Sequence, residues 1–141
     1  MGYEIIQALS LGAESAVDVR NILPHIPDKL IVNQVTKSNY EVLVKSGVKI
    51  YEYEPGFVHS KTMVVDDEVC LVGTTNMDFR SYYLHFECSI LFFGGPVIQD
   101  AYQDIMDTLD VSIEITEEDV MNVPLILRIF RSFIKIFSGL M

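Results

Sequence analysis

A chain of 141 residues is long enough for one domain that buries a core without disulfides or metals, so a single domain is expected first. Half of the residues are hydrophobic, which excludes a disordered chain. The formal net charge of -10 argues against a nucleic-acid partner, because affinity for phosphate backbones comes mostly from clustered Lys and Arg.

The first part of the chain alternates between helix-like and strand-like segments. Apolar spacing predicts a helix over Tyr3–Glu14, followed by a strand over Ala16–Leu23 that Pro24 ends. A mainly helical segment then covers Ile31–Ser46. Val48–Tyr53 alternates and is rich in β-forming residues, so it predicts a second strand.

The middle of the chain adds a hairpin to this alternation. Lys61–Asp66 and Val69–Gly73 predict two strands joined across Asp67-Glu68, and Phe86–Phe93 predicts another strand. Val97–Leu109 returns to helical spacing. Strands that alternate with helices indicate an α/β fold, and the hairpin adds antiparallel neighbours. We therefore predict a mixed β-sheet flanked by helices on both faces.

Cysteine usage and hydropathy bear on location. Cys70 and Cys88 stand singly in apolar, strand-like runs, which predicts buried structural thiols in a reducing, cytoplasmic-side environment. No signal-peptide pattern is visible in Tyr3–Ala13, and no apolar run reaches the roughly 18 residues that crossing a bilayer requires.

The charge changes sign near the C-terminus. Val97–Met121 holds eight acidic residues and no Lys or Arg, whereas residues 122–141 hold three basic residues and no acidic one. Such a change suggests a segment with its own partner. We therefore divide the chain into residues 1–121 and a basic amphipathic C-terminal helix over residues 122–141.

Two interpretations of this C-terminal helix stay open. Val123–Phe137 places Arg128, Arg131 and Lys135 at helical spacing on one face, and Leu, Ile and Phe fill much of the rest. This pattern fits an interfacial membrane helix beside anionic lipid. It also fits a helix packed on the core with its cations in solvent.

A group of polar residues around the hairpin predicts a phosphate site without a metal. His59 and Lys61 share a face if they lie on a strand, because alternate side chains of a strand point the same way. Thr74 and Asn76 follow the hairpin and offer a hydroxyl and a carboxamide to phosphate oxygens. Glu87, on the next strand, is placed to orient the imidazole.

Three other polar residues have a simpler interpretation. Asp66 lies at a strand end, where a turn or salt-bridge role is favoured over catalysis. His25 and His85 are expected to be surface or structural histidines.

Three segments around the hairpin resemble the second H-x-K-x(4)-D motif of the phospholipase D superfamily, and specifically of bacterial cardiolipin synthases. These segments are HSKTMVVD, GTTNMDFRS and the later FE. The resemblance extends over nearly the whole chain, through VDVRNILPHIPDK, SGVKIYEYEPGF and the terminal RSFIKIFSGL. It implies a catalytic set and a phosphate-binding set. The catalytic set is His59, Lys61, Asp66 and Glu87, and the phosphate-binding set is Lys61, Thr74 and Asn76.

The resemblance also implies an activity and partners. It implies phosphatidyl transfer from phosphatidylglycerol through a phospho-histidine intermediate, with no metal and no cofactor. Enzymes of the family carry two H-K-D motifs, so this chain, with one, looks like the C-terminal half of a longer enzyme whose N-terminal half supplies the other. The expected location is the cell membrane, with residues 1–121 as a catalytic half-domain on the cytoplasmic side.

Two alternatives to the synthase remain. One is a single-motif phosphodiesterase or nuclease of the same superfamily that acts as a homodimer, which the acidic composition disfavours. The other is an inactive lipid-binding module in which the motif only binds phosphate.

Overall fold

The computed structural model describes residues 1–136. Its helices are α1 (Tyr3–Glu14), α2 (Leu30–Lys37), α3 (Tyr40–Lys45), α4 (Phe79–Tyr83), α5 (Pro96–Asp110), α6 (Glu117–Met121) and α7 (Leu125–Lys135). Its strands are β1 (Arg20–Pro24), β2 (Lys49–Tyr53), β3 (Thr62–Val65), β4 (Val69–Gly73), β5 (Ser89–Phe93) and β6 (Ser112–Ile115). The predicted mixed α/β class is confirmed.

The strands form two three-stranded sheets rather than the single sheet expected from the sequence. In the first sheet, β2 is central, with β1 parallel on one side and β6 antiparallel on the other. In the second sheet, β4 is central between β3 and β5, and all neighbours are antiparallel. Helix α5 packs against strands of both sheets, which joins them into one body.

The hydrophobic core lies against the first sheet. Side chains from α1, α3, α6 and β2 meet there, and the buried members are Ile6, Tyr40, Leu43, Val48, Ile50 and Val120. The second sheet is less covered. Cys70 on β4 is fully buried as predicted, but Cys88 is exposed, because it precedes β5 at an uncovered edge. The expectation that both thiols are buried is therefore wrong for Cys88.

A buried carboxylate at the centre of the first sheet connects four segments of the fold. The Glu52 side chain on β2 is only 3% exposed. It accepts hydrogen bonds from Lys37 Nζ at 2.7 Å and Tyr40 Oη at 3.0 Å, and it lies 2.7 Å from His25 Nδ1. Burial alone would raise the Glu52 pKa, but these partners outweigh burial and hold the pKa below its ordinary value.

Two boundaries differ from the sequence prediction because side chains and backbone cap the helices. Ala16 adopts a left-handed conformation with φ of 68° and, with Val17, donates to carbonyls at the end of α1, so β1 begins only at Arg20. The predicted long helix is divided into α2 and α3. Ser38 and Asn39 both donate side-chain hydrogen bonds to the Val35 carbonyl, which competes with helix continuation.

Three short elements were missed in the sequence. Helix α4 begins after Asp78, whose carboxylate accepts from the Ser81 N–H at 2.8 Å. Helix α6 begins with a capping box between Thr116 and Asp119, a T-x-x-D signal that the sequence displays. Strand β6 has four residues inside the acidic stretch, and its pairing with β2 is what makes it a strand.

The hairpin between β3 and β4 turns at Asp66-Asp67, one residue earlier than predicted. Both residues have positive φ, 51° and 54°, and the Glu68 N–H donates to the Val65 carbonyl at 3.1 Å. This is the geometry of a type I′ turn, which favours Asn, Asp and Gly because they tolerate the left-handed region. Asp66 is exposed and forms part of this turn.

Helix α7 contacts the rest of the domain through two arginines, and it also buries Ile134. Arg128 Nη2 donates to Glu41 Oε2 at 2.8 Å, and Arg131 Nε donates to Gln34 Oε1 at 2.9 Å. Beneath the helix lies a cavity of about 310 Å³ whose lining includes Lys37 and Glu52. No helix within residues 1–136 is long and apolar enough to cross a bilayer. Residues 137–141 of the predicted C-terminal helix lie outside the described residues.

We predict that Glu52→Gln lowers the free energy of unfolding by about 2–3 kcal/mol. This is less than the roughly 3–5 kcal/mol of a fully buried pair, because Lys37 and His25 reach solvent. Urea denaturation at neutral pH measures the change. Glu54→Gln, at an exposed position two residues away, is the matched control and should change stability little. An equal loss in both variants would contradict the assignment of Glu52 as a structural centre.

We also predict that Asp66→Val destabilises the domain by about 1–2 kcal/mol, because a β-branched side chain is strained at positive φ. Asp66→Asn should leave the melting temperature nearly unchanged, since Asn adopts this conformation readily. Thermal unfolding of the two variants tests the turn, and a similar loss in both would show that the carboxylate itself matters.

Candidate active site

The H-x-K segment lies in the connection between β2 and β3. His59 and Lys61 precede β3, which begins at Thr62, so the expectation that both lie on a strand is wrong. The segment is ordered by other contacts. The Lys61 ammonium donates to the carbonyl oxygen of His59 at 2.9 Å. The Phe57 ring stacks on the His59 imidazole, with ring centroids 5.6 Å apart and planes inclined by 20°.

Lys61 connects this segment to the end of β4. Its carbonyl oxygen accepts a hydrogen bond from the Gly73 N–H at 3.1 Å. Burial lowers the pKa of the Lys61 ammonium below its usual value, and the nearby carboxylates of Glu87, Asp28 and Asp78 oppose that shift. The ammonium is therefore partly desolvated and close to acidic groups, as expected of a cation that lines a polar site.

Thr74 and Glu87 form the best-defined contact of the site. Strand β4 ends at Gly73 opposite Ser89 of β5, which places Thr74 beside the residues before β5. The Thr74 hydroxyl donates to Glu87 Oε2 at 2.6 Å and accepts from the Cys88 N–H at 3.0 Å. Thr74 and Glu87 are therefore in direct contact, a pairing that the sequence analysis did not specify.

Close approach of the backbones at Gly73 makes this contact possible. A Cβ atom at Gly73 would lie 2.6 Å from the Cys88 carbonyl oxygen and would also collide with the Ser89 side chain. A glycine is needed here because β4 and β5 pass too close for any side chain.

Glu87 is held by hydroxyl groups rather than by His59. Hydrogen bonds from the Thr74 and Ser81 hydroxyls keep the pKa of the Glu87 carboxyl below its ordinary value. His85 Nδ1 lies 3.8 Å from Glu87 Oε1 and also contributes. Among residues 1–136 no hydrogen bond or ion pair joins Glu87 to His59, so the expected direct contact is not formed here.

Two residues that the sequence analysis did not select contribute to the site. Phe57 packs against the imidazole, as described above. Ser81, the buried polar residue of α4, accepts from the Asn76 N–H at 3.2 Å and contacts Glu87. The Asp78 cap that starts α4 positions Ser81, and the D-x-x-S spacing in the sequence is the signal that indicates such a cap.

Asp66 is separated from the other motif residues. It lies five residues beyond Lys61, across the whole length of β3, which corresponds to about 16 Å of extended chain. Its exposed position in the turn agrees with the structural role favoured from the sequence. His25, predicted to be structural, contacts Glu52 in the first sheet and lies outside the group around Lys61.

The arrangement combines an imidazole, an ammonium, a hydroxyl and a carboxylate at one exposed edge. Within the described residues, no cluster of three or more His, Cys, Asp or Glu side chains is suited to hold a metal ion. An ammonium and hydroxyls can bind phosphate oxygens, and an imidazole can act as a nucleophile or as an acid and base. Asn76 lies at the same edge, in the segment after β4.

Comparison with known proteins identifies relatives. The family described as "Cardiolipin synthase, PLD-like domain" matches residues 1–109. A protein named cardiolipin synthase from Clostridium perfringens is 39% identical over 137 residues, which cover 97% of this chain and 29% of that protein. Cardiolipin synthase 1 from Staphylococcus aureus is 40% identical over 136 residues, covering 96% of this chain and 28% of that protein. The chain thus spans less than a third of the length of these relatives.

A solved structure shares the fold. The phospholipase D family member Nuc from Salmonella typhimurium superimposes with a TM-score of 0.71 and 14% sequence identity. The match covers 82% of this chain and 76% of that chain.

We predict that Gly73→Ala damages the site by forcing β5 away from β4. The expected loss of stability is about 1–3 kcal/mol, as for other overpacked positions. The amide signals of Thr74 and Cys88 in NMR spectra should shift with the variant. Gly56→Ala is the matched control, because a Cβ there meets its nearest neighbour, Tyr53, only at 4.0 Å. Equal tolerance of both substitutions would contradict the close approach.

Proposed function

The chain belongs to the phospholipase D-like domain family of cardiolipin synthases, and on that premise we propose that it supplies half of a phosphatidyl-transfer site. One observation carries the proposal. The hydrogen bond of 3.1 Å between Gly73 N–H and the Lys61 carbonyl places the H-x-K segment beside the Thr74–Glu87 pair. The H-x-K segment and the Thr74–Glu87 pair therefore lie at the same edge of the second sheet.

Each residue of the site has a role in this proposal. His59 is one of the two histidines that the reaction needs. Lys61, Thr74 and Asn76 bind the phosphoryl oxygens, and the partial desolvation of Lys61 strengthens its attraction for an anion. Glu87 positions Thr74 through their short hydrogen bond, and its predicted role in orienting His59 stays part of the proposal. Asp66 serves the hairpin turn.

The proposed reaction proceeds in two steps. One histidine attacks the phosphorus of a phosphatidylglycerol, so that a P–N bond forms and the P–O bond to glycerol breaks. The other histidine donates a proton to the departing glycerol oxygen. A hydroxyl of a second phosphatidylglycerol then gives its proton to that histidine and attacks the phosphorus. The P–N bond breaks, and cardiolipin is released.

The second histidine comes from outside this chain. The length of the relatives leaves room for another H-K-D half, and we propose that an N-terminal half of the same enzyme supplies it. Several apolar side chains of the second sheet are exposed and are suited to a protein neighbour: Met63, Val65, Val72, Ile90, Leu91 and Phe93. Because the proposed substrate is a lipid, we propose that the active site works at the cell membrane. Its cytoplasmic side, expected from the sequence, and a membrane contact through the C-terminal helix remain parts of the proposal.

We predict that His59→Ala lowers phosphatidyl transfer by at least about a thousandfold in an enzyme that contains both halves, because a step of covalent or acid–base catalysis is lost. Conversion of radiolabelled phosphatidylglycerol to cardiolipin in mixed micelles measures this. Asp66→Asn is the matched control within the same motif and should keep activity within about threefold, since it preserves the turn.

Equal activity of His59→Ala and wild type would overturn the proposal, provided that both unfold at the same temperature. The 141-residue chain by itself should be inactive as a monomer. Hydrolysis of a phosphodiester by a dimer of this chain, with the dimer mass confirmed by light scattering, would instead favour the single-motif phosphodiesterase.

A further inference from the structure

Helix α7 presents its apolar side to the solvent and its arginines to the protein. The outer face of α7, defined here as Leu125, Ile126, Ile129 and Phe130, is between 46% and 84% exposed. Arg128 and Arg131 lie on the opposite side. Two of the three cations of the expected basic stripe are therefore engaged by Glu41 and Gln34, and the Arg128 side chain stays 42% exposed.

These inward contacts determine how the helix is oriented. The Arg128–Glu41 ion pair joins α7 to α3, and the Arg131–Gln34 hydrogen bond joins it to α2. Burial lowers the pKa of the Arg131 guanidinium, with Tyr40 and Glu52 opposing the shift, so this end of the side chain lies within the domain. Turning α7 to expose its arginines would break both contacts, and the apolar face is consequently held outwards.

The neighbouring helix α2 also exposes apolar side chains. Leu30 and Ile31 lie about one turn before Gln34 on α2, and they are 73% and 53% exposed. Exposed lysines lie at the start of α2 (Lys29) and at the end of α7 (Lys135), the latter on the same side of α7 as its arginines. Exposed aliphatic side chains of this kind suit the boundary between acyl chains and phosphate headgroups.

The charge distribution favours a lipid surface as the occupant. All 20 acidic residues lie within residues 1–121, and residues 122–141 contain none. An anionic bilayer repels an acidic protein, and the C-terminal segment adds no acidic residue to that repulsion. We propose that the outer face of α7 inserts into the interface of a lipid bilayer, with apolar burial as the main attraction. The choice of lipid over protein rests on the proposed function, since the substrate is a membrane lipid.

This orientation has a distinctive consequence for salt dependence. A helix that binds through a basic stripe detaches at high ionic strength, because the charges are screened. With Arg128 and Arg131 directed inwards, binding should depend mainly on the apolar face. Raising the salt to about 0.5 M should therefore reduce binding by less than about threefold.

Flotation of the 141-residue chain with vesicles of phosphatidylcholine and phosphatidylglycerol tests the proposal. The double variant Ile126→Asp with Ile129→Asp should lose at least about tenfold in binding. The matched control, Leu11→Asp with Val42→Asp, places the same charges at exposed apolar positions of α1 and α3 and should float like wild type. Equal loss in both variants, retention in the α7 variant, or detachment at high salt would each overturn the proposal.

A second measurement applies if the aspartate variants fail to fold. The chain contains no Trp, so Ile126→Trp and Leu11→Trp give single fluorescent reporters. Vesicles should shift the emission of the first to shorter wavelength and leave that of the second unchanged. An unshifted spectrum, or a lipid-free dimer that the Ile126→Asp/Ile129→Asp variant abolishes, would overturn the proposal. The proposed function is tested separately, by the effect of His59→Ala on transfer in mixed micelles by an enzyme that contains both halves, so the two outcomes are distinguishable.

Discussion

The buried carboxylate of Glu52 is the interaction on which the rest of the structure depends. It lies on the central strand of the first sheet and is satisfied by His25, Lys37 and Tyr40, which come from the segment after β1, from α2 and from α3. Burying a charge is favourable only when such partners surround it, so these segments must pack together for β2 to be buried. The same strand leads directly into the loop that carries His59.

The two sheets have different structural roles. The first sheet packs against the main apolar core of the domain. The second sheet carries the site at its edge, where the close approach at Gly73 brings Thr74 to Glu87. Its outer side chains remain exposed, which agrees with the proposal that a second half completes the site. A site at an open edge allows residues from another half to reach the same phosphoryl group.

The placement of charge explains how an acidic domain could work on anionic lipid. Acidic residues dominate up to Met121, and two of the three cations of the C-terminal segment, Arg128 and Arg131, join α7 to the domain. Arg128 and Arg131 therefore act as anchors between helices, and the hydrophobic face is left to meet its surroundings. If α7 were rotated by half a turn about its axis, the same pattern of Arg128, Arg131 and Lys135 would predict electrostatic binding to anionic lipid.

The sequence by itself determined the α/β class, most element positions, the family resemblance and the residue types of the site. These follow from local periodicity and from residue chemistry, as with His59 and Lys61. It also indicated that Asp66 belongs to a turn. The division into two sheets, the pairing of Glu87 with Thr74 and the inward side of Arg131 were decided only by tertiary structure. Each is a contact between residues far apart in the chain, and such contacts depend on strand register and helix rotation, which no local pattern encodes.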